Sequence, residues 1–396
     1  MSFNFAYLAG GKLHLKLGES SVRTLDSQFG QDVQERTLKS QRRNAWKDKN
    51  PMAGMIPQAF LQQMQTTGEA KLPVAIRSVS PGRSGQLLYT LAVGNVTGVF
   101  TLDTSQAKEQ RLFHHSDFAV QHLNVHPQQP EFACTVMHQD GSANIAVMSM
   151  DGARPREITA GDSIDLAPRW IQGSMKALVF QSAGIARNQE GLLLEQSPFT
   201  IEKLDVQSGA MDTIAEHPKF DLLAPKMAAD GSLYYIRRPY QTRQRRWQIL
   251  TALQDIVLVP FRLLKAVYEW LNVFTQSYTG DPLVKSGQPQ VQAKQDLLIW
   301  GNRIDSSAEA EKNRRFGDQD SPALVPRSWQ LICQRPDGEV QVIGEGVISY
   351  DVDAEGGVVY TNGSAIYATH PGGIPKRLLR DRPIEAVVLV ADDYSS

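Results

Sequence analysis

The side chains in this sequence that could do chemistry are few. Asp162 and Asp165 stand just ahead of Pro168-Arg169-Trp170. Carboxylates at the lip of a channel could hold a cation or the basic group of a partner. The same two residues could instead accept hydrogen bonds from the amides of their own turn. Asp351-Val352-Asp353-Ala354-Glu355-Gly356 begins like a calcium loop, but the position of the closing bidentate Glu is Asn362. A hairpin turn explains it better. His114-His115-Ser116-Asp117 has metal-ligand types, yet neighbours on a strand point to opposite faces. Gly82-Arg83-Ser84-Gly85 lacks the spacing of a nucleophile elbow. No helical His pair with an intervening Glu and no phosphate-binding Gly loop occurs. The sequence therefore assigns no catalytic residue, no metal and no cofactor, and Asp162 and Asp165 remain as channel candidates.

Interaction chemistry is more prominent. Arg243, Arg245 and Arg246 precede Trp247, and residues 247–274 carry apolar side chains at helical spacing. Leu250, Leu253, Val257, Leu264, Val267, Leu271 and Phe274 form one stripe, and Pro260 kinks or splits the helix. Three placements are open. The stripe could fold back over the protein, lie in a bilayer interface, or dock on a partner or a second copy. In the second, the arginines meet anionic headgroups, while Trp247, Phe261 and Trp270 enter the acyl boundary. Arg243, Arg245, Arg246, Trp247, Phe261 and Trp270 are thus the partner or membrane contact candidates. A smaller basic stretch, Lys39, Arg42, Arg43, Lys47 and Lys49 around Trp46, reads as a solvated helix or a phosphate contact.

The elements that would carry these residues repeat. Val99-Phe100-Thr101-Leu102-Asp103 is followed by Arg111-Leu112-Phe113. Ile145 to Met150 runs into Asp151-Gly152 and then Arg156-Glu157-Ile158. Further copies start at Phe199, Trp329, Ala365 and Lys12. Period-two alternation marks half-buried strands, and Asp/Gly turns permit tight hairpins. A second hairpin precedes each unit, most clearly Pro168-Arg169-Trp170 into Ala177-Leu178-Val179-Phe180. Two hairpins make one four-stranded blade.

These residues, and residues 117–182 above all, resemble the repeats of TolB-like (WD40-like, PD40) propellers. The resemblance implies an all-β, six-bladed β-propeller of four-stranded antiparallel blades. The lone strand Ile384-Glu385-Ala386-Val387-Val388-Leu389-Val390-Ala391 and three N-terminal strands complete the sixth blade. A ring closed by both termini would then leave no open sheet edge. Residues 1–396 form one domain with two partly helical insertions. One spans 27–71, between the first and second blades. The other, 239–326, carries the amphipathic helix inside the fifth blade. Some TolB-like propellers gate serine peptidases, whose hydrolase domain would need roughly 200 further residues.

Bulk properties agree with a globular chain. It has 396 residues, 41% hydrophobic and 21% charged, and a formal net charge of −1. A near-neutral balance gives no footprint for nucleic acid. The two cysteines, Cys134 and Cys333, sit in apolar segments and read as buried thiols. The N-terminus lacks a basic region followed by an apolar one, so the expected compartment is the cytoplasm, with attachment to the inner face of the membrane as the variant. The leading functional expectation is a non-enzymatic scaffold that binds a protein partner. The alternative is a hydrolase or lactonase-type enzyme with a carboxylate and cation site at the channel mouth.

Overall fold

The computed structural model describes residues 3–45, 74–241 and 296–390, apart from a few single positions and pairs within them. Residues 46–73 and 242–295 lie outside the described residues. Strands dominate, arranged as four-stranded antiparallel units. In blade one the order is Ile384–Leu389, Phe5–Ala9, Lys12–Lys16 and Arg23–Leu25. The expected pairing of the last strand with the first is present, from Phe5↔Leu389 to Ala9↔Ile384. Blade two runs Val74–Pro81, Gln86–Val93, Val96–Asp103 and Lys108–His115. Blade three begins at Ala119–Val125 and ends on the two-residue strand Arg156–Glu157. Blade four begins at Ser163–Trp170, joined to blade three through the single pair Ala143↔Ile164. Blade five holds Phe220–Met227, Leu233–Pro239, Gln330–Gln334 and Val340–Glu345, and blade six spans Ser349–Val352 to Lys376–Arg380.

Period-two patterning explains the packing. All five residues of Phe5–Ala9 are buried, because this strand is covered on both faces. Phe5, Tyr7 and Ala9 pack with Val359 and Ile366 of blade six. Ala6 and Leu8 pack with Leu87, Tyr89 and Leu91 of blade two. Similar apolar clusters lie between blades two and three, three and four, four and five, and five and six. Cys134 and Cys333 are buried free thiols within them. At the turn after Met150, Gly152 has φ +85°, and a Cβ there would meet the Leu112 carbonyl oxygen at 2.2 Å, so only glycine lets blade three approach blade two.

Two further segments are anchored on this frame. Helix α1, Gln28–Ala45, starts where Ser27 Oγ accepts from Gly30 N (3.0 Å), an N-cap. Glu109 of blade two holds that turn, accepting from Ser27 Oγ (2.7 Å) and Phe29 N (2.9 Å). The second segment leads back into blade five. The hairpin Asp296–Ile299 and Asn302–Asp305 is followed by α2, Ser306–Asn313, capped by Asp305. Ile304, Ala310, Leu324, Val325 and Trp329 all enter the cluster between blades five and six. Ile304, Ala310, Leu324 and Val325 therefore belong to the core, although the sequence around them is polar and charge-mixed. Among the described residues no helix is long and apolar enough to cross a membrane.

Candidate functional site

The innermost strand of each blade faces the central channel of a propeller. Several of these strands carry a bulge midway. Register shifts fall between Ile76 and Ser78, Gln121 and Asn124, Leu166 and Arg169, and Leu223 and Lys226. The bulged residues His122, Ala167 and Ala224 have φ of 51°, 55° and 52°. Left-handed backbone at non-glycine residues is strained, and bulges re-aim side chains. In blades four and five the bulge is written as Leu-Ala-Pro followed by a cation: Leu166-Ala167-Pro168-Arg169 and Leu223-Ala224-Pro225-Lys226. The repeat delivers Arg169 and Lys226 toward the channel, and this recurrence is the sequence signal by which both cations could have been found.

Lys226 Nζ donates to Asp351 Oδ1 of blade six at 2.6 Å, and also to the Val352 carbonyl. Asp351 Oδ2 accepts from Leu389 N of blade one at 2.8 Å. Burial pushes the Asp351 carboxyl up, but Lys226 and Arg169 outweigh it, so it lies below the usual carboxylate range. Beside it, Tyr350 OH donates to Ala224 O of blade five (2.6 Å), and burial lifts the phenol far above its ordinary value. Asp351 is ionised and spoken for, and Tyr350 stays protonated.

Trp300, at the tip of the added hairpin, completes the cluster. Its ring stacks on His122 of blade three, with centroids 5.2 Å apart and planes 10° apart. Its Nε1 donates to Ile348 O, just ahead of blade six, at 3.3 Å. Blades three and six stand opposite each other in a six-bladed propeller, so a side chain touching both lies over the channel. Trp300 has φ 48° and precedes Gly301 at 74°, a turn that usually carries Asn or Gly rather than Trp. Arg238 steadies it from behind. Its NH1 donates to Trp300 O (3.0 Å), while its Nε pairs with buried Asp221 (2.8 Å). Under the indole, burial and then Arg169 lower the His122 imidazole to about 4, so it is neutral at pH 7.

The carboxylates singled out by sequence go to different places. Asp165 is buried on blade four and accepts from Ser182 Oγ at 2.7 Å. Burial raises it despite hydrogen bonds from Thr159, Ser182 and Ser163. Asp162 is exposed, pairs with Arg187 Nε at 3.0 Å, and lines an open groove of about 480 Å³ with Ile185, Pro198, Pro218 and Tyr240. The structure does not bring the two together. The Asp353 turn is a hairpin, its Oδ1 accepting from Glu355 N and Gly357 N. His115 stacks on Phe118 at 4.3 Å. Among the described residues no three His, Cys, Asp or Glu side chains gather as a metal site. Arg243, Arg245, Arg246, Trp247, Phe261 and Trp270 lie outside the described residues.

No protein-family model and no curated protein sequence matches this chain. Solved structures do. TolB from Acinetobacter baumannii is 11% identical, with a TM-score of 0.51 over 97% of this chain and 66% of that one. This chain thus spans just under two thirds of the length of that TolB. The nidogen/laminin complex gives 9% identity and a TM-score of 0.48 over 98% of both chains. The tricorn protease gives 10% and 0.46 over 98% of this chain and 34% of that one. The first likeness establishes a TolB-like β-propeller fold, which is a statement of architecture and not of activity.

Proposed function

We propose that this chain is a non-enzymatic propeller scaffold that binds a protein partner. The observation that supports this most is the state of its channel. Trp300 stands over it against His122 and Ile348, and the channel carboxylate Asp351 is consumed by Lys226 and the Leu389 amide. A general base needs a lone pair within reach of substrate, and both Asp351 oxygens are already engaged, Oδ1 by Lys226 and the Val352 amide and Oδ2 by the Leu389 amide. The contact element in this reading is the sequence stripe 247–274, with Arg243, Arg245, Arg246, Trp247, Phe261 and Trp270. The chain acts in the cytoplasm, and the same stripe would hold it at the inner membrane face.

Affinity capture from a cytosolic extract, with wild type beside Trp247→Glu/Trp270→Glu, tests the reading. One stoichiometric protein held by the wild type and lost by an equally stable variant is expected. Turnover of a lactone, ester or glycoside by the purified chain would overturn it. Co-sedimentation with vesicles containing phosphatidylserine at low and high salt tests the membrane arm: salt-sensitive binding, lost in the variant, is the expected result.

A further inference from the structure

We propose that the groove beside the outer hairpin of blade four binds an extended segment of a partner protein, rich in arginine or lysine. Blade four departs from the four-stranded plan. Its second strand, Ala177–Arg187, runs past the blade and turns back as Leu193–Gln196. That short strand pairs with Ala177–Arg187 alone among the described residues, so its other edge carries no strand. Glu195 and Gln196 of this strand line the groove of about 480 Å³, together with Pro218 and Tyr240 at the two ends of the first hairpin of blade five. The groove is firmly held. Tyr240 OH donates to the Gln196 carbonyl, Tyr240 N to Lys219 O (2.9 Å), and Gly184 N to Ser197 Oγ (2.9 Å). A site held in this way needs little reordering when a ligand binds.

Charge names the occupant. Asp162 and Glu195 line the groove, and among the described residues no Lys, Arg or His does. Arg187 pairs with Asp162 (3.0 Å) but also with Asp140 (3.4 Å), so one cation serves two carboxylates, and the Asp162 side chain is still 71% exposed. Glu195 makes no hydrogen bond or ion pair with a described residue. The surplus is felt at Tyr240, whose phenol is pushed up first by burial and then by Glu195 and Asp221. Ile185, Pro198, Pro218 and Tyr240 add apolar lining. Arginine and lysine suit this mixture, because the aliphatic stem packs on apolar surface while the charged head reaches a carboxylate. The same charges repel nucleic acid and anionic headgroups. The open edge sets the conformation: an extended segment adds beside it through backbone hydrogen bonds and turns every second side chain to the groove. The groove is built from described residues alone, and it stands whether or not the stripe 247–274 binds a partner.

The test is fluorescence anisotropy of a labelled peptide of alternating arginine and valine, titrated with the full chain at pH 7. Saturable binding that weakens as salt rises is expected. Glu195→Lys should weaken it about tenfold or more, because it sets like charges against each other. Glu195 holds nothing else in the fold, so this variant should unfold at the same urea concentration as wild type. Asp212→Lys makes the same change of charge on the outer strand of blade four, Met211–Ala215, outside the groove, and should stay within about twofold of wild type. A peptide with the same residues sorted into one arginine block and one valine block should bind more weakly, since it no longer presents alternate cations. No binding, an equal loss in D212K, or equal affinity for the sorted peptide would each overturn the proposal. So would binding that appears only in Arg243→Ser/Arg245→Ser/Arg246→Ser, because the chain's own arginines would then be the occupant.

Discussion

The joint between blades two and three differs in kind from the joint between blades five and six. In the first, Ser78 Oγ accepts from Leu123 N (3.0 Å) and Ser80 Oγ from Val125 N (3.2 Å), among Leu88, Val99, Val120 and Phe132. Both of these bonds are between neutral groups, and each hydroxyl satisfies a backbone amide of the innermost strand. In the second, Lys226 reaches Asp351, Tyr350 reaches the Ala224 carbonyl, and an added hairpin brings Trp300 to Ile348. Neutral joints tolerate small errors. A charged joint is costly unless every member is present, so it fixes geometry more strictly than it adds stability.

Breaking the charged joint should have the larger effect. Asp351→Ala leaves Lys226 without its counter-charge and Leu389 N without its acceptor, in a pair whose side chains are only 17% and 8% exposed. The expected loss is about 3–5 kcal/mol, read from urea unfolding. Lys226→Met/Asp351→Leu should recover most of it, because an apolar pair of similar volume avoids the desolvation cost. A double variant as unstable as D351A would mean that the Leu389 amide bond, not the ion pair, carries the joint. At the neutral joint, Ser78→Ala strands one buried amide, and the expected loss is about 1–3 kcal/mol.

Acid should sharpen the same contrast. The Asp351 carboxyl is held below its unfolded value of 3.8, so its stability is present above that pH and is lost as pH falls through the lower folded value. Asp165 and Glu385 are raised by burial and act with the opposite sign, binding protons more readily in the fold. Unfolding free energies from pH 6 to pH 3 should therefore fall less steeply in D351N than in wild type. Parallel curves would remove Asp351 from the acid response.

The strands and their pairing within blades were legible in the sequence, and the charged joint was not. The short apolar run Phe5-Ala6-Tyr7-Leu8-Ala9 before Gly10-Gly11 is enough to place a strand, and the lone strand read at 384–391 is enough to name its partner. Both rest on local pattern, with period two and turn residues. Lys226 and Asp351 are 125 residues apart, and each alone resembles a solvated surface charge. Asp162 and Asp165 show the converse. Their proximity in sequence suggested a shared site, yet one is buried on Ser182 and the other sits outside on Arg187. The Trp300 hairpin was readable as an apolar strand, Leu297-Leu298-Ile299-Trp300, but where its tip reaches depends on the fold of blades three, five and six together.

The smallest effect should come from that tip, and it isolates the packing of the charged joint from its charges. Trp300→Asn keeps the hairpin, since Asn accepts the left-handed turn more readily than Trp. Relief of backbone strain offsets the lost stacking, so stability should change by no more than about 1 kcal/mol. His122 should respond far more. Its pKa of about 4 arises first from burial and second from Arg169, and removing the indole reduces only the first. NMR titration should show it rising toward 6.5 without reaching it, because the Arg169 field remains. A depressed histidine contributes stability that is complete above 6.5 and lost as pH falls to about 4, so the acid slope across that window should flatten in W300N. A His122 that still titrates near 4 in W300N would place its burial in the blade wall around Thr135, and would leave the indole as a cover over the channel with no part in setting the charge beneath it.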